Sequence, residues 1–410
     1  MSFEPADDWG ARAAQMLDRI AHASAPGPGV TRLPLTPEHR AAVEQITGWM
    51  QAAGLEVRMD DAGTLIGRRE GARPDAPTFL MGSHQDSVRE GGAFDGIMGV
   101  ALPVLALAKL RAEGVELPFA VEVLAFADEE GVRFPTALVG SRALAGTLDP
   151  AVLEMRDADG VSLDRALREF GLDPEALAGL ARDPGSVMGF LECHIEQGPV
   201  LEAAGEALGV VTAICGIERH QVTISGASGH AGTVPMALRR DALAAAAELV
   251  GEVERLARGT DGLLGTVGAL ELRPNAVNAI PGEVRLSVEL RAPEDAVRET
   301  AGAAVHDFCA ALAERRALSV EIARSYVQTA TPCDPDLTER LSQAAMAAGG
   351  GGRRMPSGAT HDASAMADLC PVAMMFLRCR GGISHTPEEH ASAEDMGRAV
   401  EAIAGFLRSL

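Results

Sequence analysis

PTFLMGSHQDSVREGGAFDGIMGVALPVLALAKLRAEGVELPFAVEVLAFADEE, residues 77–130, decides the fold class. The apolar runs 77–83 and 120–127 are unbroken, whereas a strand with one solvated face would alternate. Both therefore read as strands buried on both faces, and residues 99–112 between them read as an apolar helix. Strand, helix, strand in this form predicts a mixed or parallel sheet covered by helices. Ligands in open sheets of this kind gather at the carboxyl ends of the strands. Here those ends carry chemistry: His84, Asp86 and Asp95 follow the first strand, and Asp128, Glu129 and Glu130 close the second.

Outward from this core, residues 8–22 and 37–53 have helical apolar spacing, and 55–60 with 63–69 read as a strand pair. Residues 149–185 are polar, helix-prone and punctuated by Asp-Pro, and read as a connecting insertion. Residues 186–196 read as a further strand. After about residue 212 the pattern turns β-rich: HQVTISG, LLGTVGALEL, EVRLSVELR and LSVEIARS, with helices at 237–258 and 294–316. The order β-α-β-β-α-β is that of a split βαβ unit. From about residue 329 long helices return, with a buried strand at 371–378. The expected organisation is a discontinuous catalytic domain, 1–211 and 329–410, with an α+β domain, 212–328, inserted into it. Gly349–Gly352 reads as a flexible loop.

The chain has 410 residues and a formal charge of −22. That balance excludes a phosphate-tracking nucleic-acid binder and a broad surface for anionic lipid. Lys109 is the sole lysine among 36 basic residues, so any anionic substrate group must be held by arginine. Six scattered cysteines without CxxC spacing read as reduced, buried residues of a cytoplasmic protein. The acidic, polar segment 1–10 has no leader-like pattern, and no apolar run is long enough to span a bilayer.

Two more histidines belong to strand ends: His194 in ECHIEQGP and His385 in GGISHTPEEH. Singly, each is a weak signal. Together, four loops of one sheet carry only nitrogen and oxygen ligand types, the set that a pair of divalent cations bridged by a carboxylate requires. Gly91, Gly92, Gly96 and Gly99 allow tight turns around Asp95. Glu129 and Glu130 cannot easily both ligate from one strand end, so one ligand and one general base is the natural division. Cys193 should point away from His194, because neighbours on a strand face opposite sides.

The segments GSHQDSV, GGAFDGIMGV, FADEEGVRF, HIEQGPVLE, SGHAGTVPMALRRDAL, PNAVNAIPGEV, VELR, SGATHDA and GGISHTPEE occur in order over residues 82–389. This ordered set closely resembles the N-carbamoyl-amino-acid hydrolase, allantoate amidohydrolase and β-ureidopropionase branch of the dinuclear-metal aminoacylase/carboxypeptidase superfamily. The resemblance implies that His84, Asp95 and His194 hold one metal and Asp95, Glu130 and His385 the other. It also implies that Glu129 is the general base and that Asp86 orients His84. The inserted domain would serve as lid and dimerisation domain, with His230 reaching a partner subunit's site to polarise the scissile carbonyl. Asn278 and Arg291 would grip the substrate carboxylate, and Gln197 would line the same pocket. Gln85 and Thr360 depart from the family pattern, which bears on substrate preference.

The reading is thus a homodimeric amidohydrolase with two divalent ions (Zn, Mn, Co or Ni) that cleaves the carbamoyl or ureido C–N bond of a small carboxylate-bearing substrate. N-carbamoyl-L-amino acids and allantoate are equally compatible. The alternatives are a dipeptidase or N-acyl-amino-acid hydrolase on the same scaffold and, more distantly, a catalytically silent binding dimer. HExxH, GxSxG and a GxGxxG following a strand are missing from the sequence.

Overall fold

The computed structural model describes residues 3–4, 8–73 and 75–410, so part of the polar N-terminal segment lies outside the described residues. The chain divides into two units, Met1–Thr212 with Cys333–Met355 and Thr360–Leu410, and Ala213–Pro332 with Pro356–Ala359.

The first unit is built on a mixed sheet. Its strands run in the order Glu56–Met59, Leu65–Arg69, Ala120–Phe126, Thr78–His84, Val187–Ile195, Val372–Leu377 and Leu208–Ile214. The four central strands are mutually parallel, while Leu65–Arg69 and Leu208–Ile214 flank them antiparallel. Every residue of Thr78–His84, Ala120–Phe126 and Val372–Leu377 is buried, as expected of strands packed on both faces. The helix Met98–Ala112 is buried nearly all round, and Lys109 at its end pairs with Glu113 and Glu401. Trp9–Ala21, Pro37–Ala52 and Ala393–Ser409 contribute apolar residues to the same core. Each starts at a capping side chain, Asp8, Thr36 or Ser392, which accepts the otherwise free backbone N–H of Ala11, His39 or Asp395. Cys193 lies in this core, and all six cysteines are free and buried.

Two sequence expectations need correction, and one strand lies outside them. Residues 149–185 are more than a connection: Leu163, Ala166, Leu167 and Phe170 pack with Phe134, Val139 and Val152 in a separate apolar cluster. Short 3-10 turns and the one amphipathic helix Leu163–Phe170 disguise that cluster in the sequence. The glycine patch opens a strand, Gly351–Ser357, and is not a loop throughout. Leu208–Ile214 was not foreseen as a strand.

The second unit contains an antiparallel sheet in the order Leu270–Arg273, Glu283–Ala292, Gly216–Ser225, Ser319–Gln328, the arrangement of a split βαβ unit. Along Glu283–Ala292 alternate residues are buried, from Val284 to Ala292. They pack with Ala245, Leu249, Val305 and Leu312 from the helices Ala242–Gly259 and Asp295–Arg316. The stretch 263–272 breaks into two strands, Leu264–Thr266 and Leu270–Arg273. No helix among the described residues is long and apolar enough to cross a membrane.

Candidate metal centre and active site

Four adjacent parallel strands place their carboxyl ends side by side, and the side chains at those ends converge. His84 is the last residue of Thr78–His84, and His194 is the penultimate residue of Val187–Ile195. Glu129 and Glu130 follow Ala120–Phe126, and His385 follows Val372–Leu377 after a short turn. Asp95 sits on the loop into Met98–Ala112. Gly96, at φ +65°, lets that loop pass against His84, because a Cβ there would lie 2.3 Å from the imidazole Cε1.

Asp95 is the hub. Its Oδ1 lies 2.9 Å from His194 Nε2 and 3.6 Å from His84 Nε2, and its Oδ2 lies 3.2 Å from His385 Nε2. Glu130 Oε1 is 4.0 Å from His385 Nε2, and Glu129 Oε2 is 3.9 Å from His84 Nε2. Ligand atoms of His84, Asp95 and His194 lie within 4.8 Å of one another, as do those of Asp95, Glu130 and His385. His84, Glu129 and Glu130 form a third such set.

The donors suit divalent cations. His84 Nδ1 faces the backbone carbonyl of Asp86 at 3.0 Å, and His194 Nδ1 faces that of Ile195 at 3.0 Å. A carbonyl only accepts, so each Nδ1 carries the hydrogen and a neutral ring presents its Nε2 lone pair to Asp95. A lone pair and a carboxylate oxygen at such distances attract only when positive charge lies on the ring or between the two. Glu130 Oε1 is buried and has no hydrogen-bond partner. Nitrogen and oxygen donors without thiolate fit Zn, Mn, Co or Ni.

The protonation directions tell the same story. Burial opposes the imidazolium of His84, yet Asp86 and Asp95 hold its pKa well above the usual histidine value. Burial likewise opposes charge on Asp95, and the surrounding His194, His385 and His84 hold its carboxyl well below the ordinary range. Burial pushes Glu130 up to about 7 and Glu129 well above its normal value. Without added positive charge, this pocket retains protons.

Asp86 does more than face His84. Its Oδ1 accepts the Glu129 N–H at 3.1 Å and its Oδ2 the Glu130 N–H at 3.2 Å, so it fixes the turn carrying both glutamates. Its carboxylate is 3.5 Å from His84 Nδ1, farther than its own backbone carbonyl. Gln197, at φ +57°, donates from Nε2 to Asp95 Oδ2 at 3.2 Å and to Ser384 Oγ at 3.1 Å, within the ligand cluster itself.

The remaining sequence candidates lie in the second unit. His230 pairs with Ala279 in a two-residue ribbon, and the Asn278 carbonyl accepts the Ala231 N–H. His230 is exposed, and its Nδ1 accepts the Gly232 N–H, which leaves Nε2–H as the donor of a neutral ring. Arg291 is on Glu283–Ala292, where its guanidinium donates to Glu289 Oε1 at 2.8 Å and to the Gly358 carbonyl.

A scan against protein families matches residues 80–409 to the family described as Peptidase family M20/M25/M40. The chain belongs to this family. It is 42% identical over 378 residues to the N-carbamoyl-L-amino acid amidohydrolase of Geobacillus stearothermophilus, covering 92% of each chain. It is 39% identical to the allantoate deiminase of Arabidopsis thaliana, covering 97% of this chain and 82% of the relative. Among solved structures, an amidase of the hydantoinase/carbamoylase family from Burkholderia multivorans is similar with a TM-score of 0.92 at 34% identity, covering 98% of this chain and 97% of that one.

Arg32, Ser384 and Glu389 belong to this M20-family centre and lie outside the sequence candidates. Arg32 is 2% exposed and lies beneath the His84–Asp86 segment. Its Nε donates to the Gln85 carbonyl at 2.6 Å, and its Nη1 donates to the carbonyls of Ile20 and Ala23 at 3.2 Å. Burial lowers its pKa to about 10 against the pull of Asp86, which leaves the guanidinium charged at neutral pH. Nothing around TRLPL in the sequence marks this role, since Gln85 is 53 residues away. Ser384, whose Oγ lies 3.3 Å from Asp95 Oδ2, was within reach as the hydroxyl adjoining His385. His361 meets the His194 ring edge-on at 4.6 Å between centroids.

Proposed function

We propose that the chain hydrolyses the carbamoyl or ureido C–N bond of a small carboxylate-bearing substrate, N-carbamoyl-L-amino acids and allantoate being the two candidate types. One observation carries the catalytic part of this reading: Asp95 turns one carboxylate oxygen to His84 and His194 and the other to His385. That arrangement supports a carboxylate shared between two cation sites, His84/Asp95/His194 and Asp95/Glu130/His385. The names of the two curated relatives supply the substrate class.

Two divalent cations, when bound, polarise the substrate carbonyl and lower the pKa of water. Everything else is done by the chain. Glu129, buried beside His84 and held by its backbone N–H on Asp86, takes the proton of the attacking water and returns it to the departing nitrogen. His230 donates from Nε2–H to the carbonyl oxygen as charge develops there. Asn278 and Arg291 hold the substrate carboxylate; a guanidinium suits a planar, two-oxygen partner. The carbamate released from the substrate decays to CO₂ and ammonia.

We further infer a homodimer formed through the second unit, with His230 serving the partner subunit's site. Met236, Leu238, Leu264, Leu270 and Val277 of this unit are exposed large apolar side chains. They are the kind of surface that association covers.

The deciding experiment is a substrate panel on protein stripped with chelator and reloaded with Zn, Mn, Co or Ni, read by ammonia release. Ureido and carbamoyl acids should turn over after reloading and not before. Turnover confined to dipeptides or N-acetyl amino acids would replace the substrate assignment. Full activity in stripped protein would sink the mechanism.

A further inference from the structure

Glu389 stands four residues beyond His385 and has no part in the reaction just derived, yet it is 4% exposed and fully engaged. One oxygen, Oε1, accepts the backbone N–H groups of both Phe94 and Asp95, each at 2.9 Å. The other, Oε2, accepts the Ser384 hydroxyl at 3.0 Å. Ser384 Oγ in turn lies 3.3 Å from Asp95 Oδ2 and 3.1 Å from Gln197 Nε2. One buried carboxylate thus joins the loop that carries Asp95 to the loop that carries His385, nearly 300 positions apart in the chain.

We infer that Glu389 is a positioning residue that sets the direction of the Asp95 carboxylate, and so the separation of its two oxygens between the two ligand groups. A further carboxylate beside Asp95 adds repulsion, so its presence needs a compensating task. Two backbone N–H donors converging on one oxygen offset that repulsion and hold the peptide from which the Asp95 side chain springs. The approach depends on Gly92: a Cβ there would lie 2.2 Å from Glu389 Oε1 and 2.3 Å from its carboxyl carbon. Any other residue at position 92 displaces the brace.

The inference rests on the two-cation reading of the site, and its test separates the two. Mn²⁺ affinity is measured by competition with a chelator in full-length wild type and in Glu389→Ala, Glu389→Gln and Gly92→Ala, together with kcat, KM and thermal stability. Glu389→Ala should bind Mn²⁺ about 10- to 100-fold more weakly, with kcat reduced more than KM is raised and activity partly restored by excess metal. Glu389→Gln should recover most of the loss, because its carbonyl oxygen still accepts both N–H groups and its NH₂ can turn to Ser384. Gly92→Ala should behave like Glu389→Ala. Unchanged Mn²⁺ affinity in Glu389→Ala with lowered thermal stability would reduce Glu389 to a structural residue and overturn the inference. A glutamine variant as impaired as the alanine variant would also overturn it, because charge and not direction would then matter. Should Glu389→Ala not fold, Ser384→Ala decides on the same readout: a smaller weakening supports the brace, and none overturns it. Wild type that binds no Mn²⁺ would instead bring down the two-cation reading itself.

Discussion

The inner and outer halves of the candidate ligand cluster are built on different principles. His84 and His194 are each 2% exposed, belong to central strands, and have Nδ1 fixed on a backbone carbonyl. The His385 side chain is 51% exposed, and its residue adopts a left-handed backbone at φ +58° on a loop. It is placed through other side chains, Asp95, Gln197 and Glu130. Sheet hydrogen bonds therefore set the inner half, while a side-chain network sets the outer half. The first is enclosed, and the second is half exposed to solvent.

The largest effect expected on the inner half is chemical. Glu129→Gln should lower kcat by about 10²- to 10⁴-fold, the usual worth of a general base, with cation content retained. Near-normal turnover would remove the base from this wall of the site. The next effect is on stability. Arg32→Met leaves the carbonyls of Gln85, Ile20 and Ala23 without their buried donor, and should cost about 2–4 kcal/mol, read from urea denaturation. A loss under about 0.5 kcal/mol, the range of surface changes, would show that the inner half does not depend on what lies beneath it.

A smaller effect separates the halves directly. His385→Ala should weaken cation binding by more than the about 10- to 100-fold that loss of a supporting residue costs, and added imidazole should restore activity because the His385 position is half exposed. His194→Ala should resist the same rescue, and equal rescue of both would abolish the distinction. Chelator should correspondingly strip wild type in two phases, fast for the outer group and slow for the inner.

The smallest effect concerns a buried imidazole that faces no carboxylate. His39 accepts the Leu35 N–H on Nδ1 at 2.8 Å, and burial, aided by Arg32 and Arg40, depresses its pKa to about 3. The folded chain then binds fewer protons than the unfolded one, whose histidine titrates near 6.5. The stability that follows is present above pH 6.5 and is lost as pH falls from there towards 3, at up to about 1.4 kcal/mol per pH unit. Urea midpoints compared at pH 7 and pH 5 should show a shallower acid loss for His39→Gln. An identical loss would mean that His39 does not titrate as its surroundings require. The contrast with His84, equally buried and pushed the other way by carboxylates, shows that neighbours and not burial decide what a buried histidine does.

The central strands were legible because their apolar runs are unbroken, and the ligand types were legible because strand ends are where such folds place chemistry. Leu208–Ile214 was missed because LGVVTAI lies at the point where one pattern yields to another. The cluster around Leu163 and Phe170 was missed because its apolar residues sit among Asp-Pro turns that resemble a linker. Arg32 and Glu389 were hidden for a different reason. Each acts through contacts to backbone or side chains dozens to hundreds of positions away, and a single sequence carries no record of distance.

Sequence alone determined the residue types at each strand end, the central strands with their helices, and so the class of chemistry. Those properties are local, since periodicity and composition act over a few residues. Only the tertiary structure decided which oxygen of Asp95 faces which histidine, that Asp86 holds the Glu129–Glu130 turn, and that Arg32 underlies the His84 loop. These are matters of tenths of an ångström between segments joined by nothing but packing and hydrogen bonds.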